Sequence, residues 1–244
     1  MPKKDSTSLI SVADLFRNSW KLYQKSWVTL LILSLITVAI WRIWLAIVLP
    51  LLLITTGLGS LAVGAVTLNP AQVLSIAISG LLIILVSLLV VFEVGFLGSA
   101  SIIICLNEYL KGKRPTLGKI LTEGKNLLLP LTFVSLLVFF VETVGFFLLV
   151  IPGIILVIFL QFSNFVLVTE KKTGFDVLGR SIHLVKSHFW GILGRYLVIG
   201  VASLIVNLMF SRIPAFQFAS QTLVLPFTVT YHFLLYRDVV ERSR

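Results

Sequence analysis

The sequence predicts an all-α fold. The expected architecture is a polytopic transmembrane helical bundle of six spans, N-in/C-in, with amphipathic interfacial helices on the cytoplasmic side. Three observations predict it. Charged residues are sparse and clumped, so that between Ser26 and Leu110 only Arg42, Glu93 and Glu108 carry charge. Uncharged apolar runs longer than ~18 residues are the kind that cross a bilayer. Hydrophobic residues make up 58% of the chain and charged residues 12%, against about 25% charged in a soluble domain. Finally, Lys and Arg gather in alternate connections, as the positive-inside pattern requires.

The elements follow in order. Residues 8–26 read as an amphipathic helix. Leu9, Val12, Phe16, Trp20, Tyr23 and Trp27 recur every three or four positions, opposite Asp14, Arg17, Asn18, Lys21 and Lys25, so they share one face. Ser11 and Asp14 fit the S-x-x-D capping pattern. This polar stretch is longer than the n-region of a secretory signal. The first span is expected near 27–49, ending at Pro50. Leu51 to Val66 is expected as an outer re-entrant or interfacial piece. The other spans are expected near 71–107, 127–150, 154–169, 191–210 and 213–236, with Pro152-Gly153 turning the third directly into the fourth. Six spans put nearly every Lys and Arg on one side. An eight-span count, which makes Leu51 to Val66 a short span and splits the second run near Gly95 to Gly98, keeps the same parity.

Two further inside segments show helical periodicity before the chain re-enters the membrane. Phe175, Leu178, Ile182, Val185 and Phe189 form a stripe opposite Asp176, Arg180, His183 and Lys186, and Thr116 to Asn126 is a shorter version. Such a helix lies among lipid headgroups with its cations on anionic lipid, or packs on the end of the bundle. Lys21, Lys25, Lys171, Lys172, Arg180 and Lys186 are the expected headgroup contacts.

Within the apolar runs, Arg42 lies 17 residues after Lys25, Glu142 lies 17 after Lys125, and Glu93 lies 18 before Lys111. All three therefore reach a similar depth, roughly 25 Å from the inner boundary. A buried ion without a partner is costly, so Arg42 is expected to pair with Glu93, Glu142 or both. The alternative is that Arg42 snorkels outward beside Trp41 and Trp44. Pro226 is expected to kink the last span and free the Thr222 carbonyl, with Gln221 beside it. Gln161, Asn164, Asn207 and Gln221 are read as interhelical hydrogen bonders. Gly95, Gly98, Ser99, Ala100 and Ser101 would let the second span approach a neighbour closely.

Several function classes are set aside. The balance of 20 Lys+Arg against 10 Asp+Glu would suggest nucleic acid in a soluble protein, but here the cations flank spans, and no nucleic acid is expected. The single Cys105 cannot form a disulfide within the chain. His183, His188 and His232 are scattered, and no acid lies at metal-ligand spacing. No cofactor, metal or catalytic residue is expected. The inside segments are too short to fold as a catalytic domain.

Ile151-Pro152-Gly153, Val168-Thr169-Glu170, Val177-Leu178, Arg180-Ser181, Leu184-Val185-Lys186, Trp190 and the closing Leu235-Tyr236-Arg237-Asp238 resemble the pattern of a broad family of six-helix bacterial membrane proteins. That family includes the membrane domain attached to some glycerophosphodiester phosphodiesterases and the YciC-like inner-membrane proteins. Val177 stands where the pattern usually has Ala. The resemblance implies six helices and cytoplasmic ends, and no chemistry. The resulting expectation is a non-enzymatic protein of a bacterial cytoplasmic membrane. It would act as an accessory or scaffold with anionic lipids or a membrane-protein partner. The other expectation, from a different class, is a small transporter with an intramembrane polar site at Arg42, Glu93, Glu142 and Gln221.

Overall fold

The structure, a computed structural model, describes residues 9–55, 69–210 and 212–243. Among these residues the chain is all-α: α1 (Val12–Thr55), α2 (Pro70–Leu110), α3 (Leu117–Leu148), α4 (Val150–Leu160), α5 (Ser163–Glu170), α6 (Phe175–Lys186), α7 (Phe189–Phe210) and α8 (Pro214–Arg242). Five segments are long and apolar enough to cross a membrane: α1, α2, α3, α4 together with α5, and α7. Their outer faces carry large apolar side chains in the open. Phe147, for example, is 88% exposed, which water would penalise and lipid does not. The fold is that of a helical membrane protein.

The apolar stretches mostly run longer than the sequence suggests. α1 is unbroken from Val12 to Thr55, so residues 8–26 do not form a separate helix and the first span does not stop at Pro50. No Gly, Pro or cap lies between Val12 and Leu49 to end it, and membrane helices tolerate an internal Pro. The expected start signal holds, since the Asp14 amide donates to Ser11 Oγ at 3.1 Å. Thr116 to Asn126 likewise runs straight into the third span as α3, with the Thr116 hydroxyl capping its start. α2 extends unbroken to Leu110. It stops where Gly112, at φ +76, lets the Gly112 and Lys113 amides return to the carbonyls of Tyr109 and Glu108. Residues 51–55 belong to α1; the rest of the expected re-entrant piece lies outside the described residues.

The turn between the third and fourth spans falls at Leu149, one extended residue, and not at Pro152-Gly153. Pro152 sits instead in the first turn of α4, where its missing N–H costs little. Gly145 and Gly153 allow the two arms to close, because a Cβ on Gly145 would stand 3.2 Å from the Gly153 Cα. The fourth span is interrupted at Gln161 and Phe162 between α4 and α5. α5 is the most enclosed piece, with Ser163 through Val168 all buried.

α2 packs on α1, α3, α5 and α8. α1 packs on α8, α3 on α4, and α7 on α8. Of the three segments expected at the interface, α6 alone forms a separate helix among the described residues. Its buried positions are Val177, Leu178, Ser181, Leu184 and Val185, while Phe175 and Ile182 face outward. The stripe is rotated from the expected one because the Ser181 hydroxyl reaches in to the Phe159 carbonyl at 2.7 Å. Of the stripe expected on α1, Phe16 and Tyr23 pack against Phe227 of α8, whereas Val12, Trp20 and Trp27 are exposed.

α8 carries the sixth expected span, though it is not among the five segments above. Its apolar stretch is diluted by Gln217, Ser220, Gln221, Thr222, Thr228, Thr230 and His232. Both described chain ends lie together: the Ile10 amide donates to Asp238 Oδ2 at 2.9 Å, and Arg195 of α7 donates to the Ile10 carbonyl at 3.0 Å.

Candidate functional site

Two polar regions stand out, one at the end of the bundle where the termini meet and one inside the apolar layer.

At the end, the side chains carrying the resemblance converge. Glu170 closes α5, and Arg180 on α6 donates its Nε to both carboxylate oxygens at 3.2 Å. The Tyr236 hydroxyl of α8 donates to the same carboxylate at 3.0 Å and lies 2.9 Å from the Thr169 hydroxyl. Three helices are thus tied through one carboxylate. Beside it is a cleft of about 520 Å³ whose wall includes Asn107, Lys111, Glu170, Arg180, Tyr236 and Arg237. A second cleft of about 370 Å³ shares Asn107 and Lys111 and adds Glu108, Lys171 and Lys172. Glu108 lies past the apolar run. Hydrogen bonds from Lys119 at 2.7 Å and Lys111 at 3.0 Å pull its carboxyl from the ordinary 4.5 down to about 2. The same bond raises Lys119 above its ordinary value.

The six expected headgroup residues divide. Lys21, Lys25, Lys171, Lys172 and Lys186 are exposed. Arg180 is not free for lipid, because Glu170 binds it from within the protein. Burial of the α6 face around Ser181 turns the guanidinium toward the bundle.

Inside the apolar layer, the four expected polar residues do not form one cluster. Arg42 Nη2 donates to Gln221 Oε1 at 3.1 Å and to Gln217 Oε1 at 3.3 Å. Glu93 faces the other way, toward α3, and accepts from the hydroxyls of Thr132, at 2.8 Å, and Ser135. Glu142 makes no hydrogen bond or ion pair among the described residues. The expected ion pair is therefore absent there. Neutral amides and hydroxyls on adjacent helices take up both side chains, because Gln217 with Gln221 and Thr132 with Ser135 each present two polar groups on one helix face.

Gln221 is also not the partner of the Thr222 carbonyl freed by Pro226. Ser34 of α1 donates there at 2.7 Å. Asn164 does bond between helices, to the Phe96 carbonyl at 3.0 Å, whereas Asn207 bonds within its own helix, to Ser203. Gln161 has no such bond among the described residues. Gly98 has the expected packing role: a Cβ there would stand 2.4 Å from Thr37.

Beside Arg42 and Gln221 lies an apolar groove of about 420 Å³. Thr37, Val38 and Trp41 of α1 and Val224, Leu225 and Val229 of α8 line it. Val94 and Gly95 of α2, with Ser203 and Asn207 of α7, complete its walls. Among the described residues no group of three or more His, Cys, Asp or Glu is placed to hold a metal.

The fold and these regions define the class: a helical membrane protein with a polar tie at one end and a groove within the apolar layer. A family model described as a domain of unknown function (DUF7847) matches residues 117–234, from the start of α3 into α8. It takes in Glu170 and Arg180 but stops short of Tyr236. No curated protein and no solved structure matches the chain.

The sequence names Tyr236 only within the resemblance, without its bond to Glu170, and gives no role to Gln217, Ser34 or the clasp of Arg195 on the N-terminal segment. Gln217 and Gln221, four residues apart in an otherwise apolar helix, are a legible signal. Ser34 carries none, because Ser on a membrane helix usually bonds its own backbone.

Proposed function

We propose that this is a non-enzymatic integral protein of a bacterial cytoplasmic membrane, crossing it six times with both termini inside. It acts as an accessory or scaffold with anionic lipids or a membrane partner. The observation that carries the reading is the character of one end of the bundle. There the termini, the exposed Lys21, Lys25, Lys171, Lys172 and Lys186, and the exposed aromatic rings of Trp20, Phe175 and Trp190 occur together. Cations with amphipathic rings beside them suit the headgroup layer of an anionic leaflet. The sixth crossing is α8, whose 29 residues reach roughly 43 Å, enough for a bilayer. The bacterial assignment rests on the resemblance.

Two experiments test the reading. Cysteine placed at Lys113 or Lys172 in a Cys105→Ala background is expected to resist an impermeant maleimide in intact cells and to label once the cells are opened. Labelling from outside would reverse the orientation. Phosphatidylglycerol retained by the purified protein is expected to fall as salt rises, and further in a Lys171→Gln/Lys172→Gln variant. Retention indifferent to salt would remove the electrostatic basis.

A further inference from the structure

We propose that the groove among α1, α2, α7 and α8 seats one acyl chain of a phospholipid whose phosphate lies against Arg42. The inference rests on the reading above only in taking anionic phospholipid as the ligand; its site lies near the start of α8, at the opposite end of that helix from Asp238 and the terminus clasp.

Arg42 is a cation in the apolar layer without a carboxylate beside it. Its Nη2 spends itself on two neutral amide oxygens. Its Nε is buried and has no hydrogen-bond partner among the described residues. A charge held this way in hydrocarbon is expensive unless an anion meets it, and the described protein supplies none. A phosphate oxygen is the acceptor that a guanidinium binds best.

Arg42 is not itself in the groove wall, but its neighbour Trp41 and its partner Gln221 are. Gln221 belongs both to the Arg42 cluster and to the groove wall. From there the groove follows α8 inward to Val229. Gln217 is three residues from the start of α8, so the charged end lies toward the near ends of the helices and the apolar end toward the middle of the bundle. The twelve residues from Gln217 to Val229 cover roughly 18 Å, about half of a hydrocarbon layer ~30 Å thick. A lipid of the adjoining leaflet has this same polarity, with its phosphate outside and its chain directed to the midplane.

The walls suit a chain. Several of the polar groups in them are already engaged, Asn207 Nδ2 with the Ser203 carbonyl and the Ser203 hydroxyl with Thr228. At about 420 Å³ the volume falls within the ~300–1,000 Å³ of ordinary ligand sites. A Cβ added to Gly95 would meet nothing within 4 Å, so that wall is set back and open.

The test is native mass spectrometry of the full-length protein in mild detergent with added phosphatidylglycerol. The wild type is expected to keep one lipid under conditions that strip the rest. Arg42→Gln should weaken that retention about tenfold or more, as loss of one member of a buried charge pair does. Gly95→Phe should do the same by filling the groove, and because its Cβ meets no atom it keeps the proposal testable if Arg42→Gln fails to fold. Lys171→Gln/Lys172→Gln should shed the loosely held lipids and keep this one. The inference is overturned if both groove variants retain lipid like the wild type. It is overturned equally if oleate replaces phosphatidylglycerol without competition from it, or if Gly95→Phe alters only the oligomeric mass, which would make a second copy the occupant. Loss of the salt-dependent lipids with the single lipid kept would touch the basic-end reading alone.

Discussion

Ser34 and Pro226 show how a single atom pair can be read on both sides of an interface. Pro226 cannot donate to the Thr222 carbonyl, which lies in a dry interior, and the Ser34 hydroxyl crosses from α1 to meet it at 2.7 Å. Ser34 is fully buried, so no water substitutes for it. Ser34→Ala is expected to cost about 1–2 kcal/mol of stability in detergent. In a Pro226→Ala background the restored amide satisfies the carbonyl, and the same change should cost little. A double-mutant cycle on thermal unfolding measures the difference. Equal losses in the two backgrounds would mean that the hydroxyl is not satisfying that carbonyl. The same logic bears on Arg42. Because its partners are Gln217 and Gln221, neither Glu93→Gln nor Glu142→Gln is expected to restore an Arg42→Ala variant.

Between elements, close approach sets the packing of the membrane layer. α2 meets α1 at Gly98, where an added Cβ would stand 2.4 Å from Thr37 Cγ2 and 2.5 Å from its Oγ1. Thr37 is β-branched and further held by its bond to the Leu33 carbonyl, so it cannot swing away. Gly98→Ala should therefore separate the helices and cost about 1–3 kcal/mol. Combining it with Thr37→Ala should recover most of the loss. Gly179→Ala on α6, with open space around it, should be neutral or gain up to about 1 kcal/mol from helix propensity. Thermal unfolding of the three variants, read together, checks the contact. If Gly98→Ala behaves like Gly179→Ala, the helices are not in contact there.

For the molecule as a whole, stability at the basic end depends on ion pairs that bridge connections. Glu108 ties the end of α2 to the start of α3 through Lys111 and Lys119. Its pKa is lowered from 4.5 to about 2, so the tie contributes fully above the ordinary value and is lost as pH falls through the folded one. The gap in unfolding temperature between the wild type and Glu108→Gln should hold at neutral pH and shrink as pH drops from 4.5 toward 2. A gap that stays constant across that interval would show that the carboxylate charge is not the tie. The Glu170 bonds to Arg180 and Tyr236 bind α5, α6 and α8 in the same way.

The apolar runs and the clumped cations were legible because both follow from local composition: hydrocarbon excludes charge along every stretch that must cross it. That reasoning placed the long helices, the cap at Ser11 and the packing role of Gly98. It placed helix ends badly at Pro50, because a membrane helix tolerates an internal proline, and at Pro152-Gly153, because the first turn of a helix has no intrahelical partner for the N–H that proline lacks. Which residue answers which was decided by tertiary structure. Equal depth put Arg42, Glu93 and Glu142 at one level, but depth says nothing of rotation about the helix axis. Rotation turned Glu93 toward Thr132 and left Arg42 with two glutamines. The groove beside Arg42 has the same origin, since a cavity belongs to the packing of four helices and to no one of them.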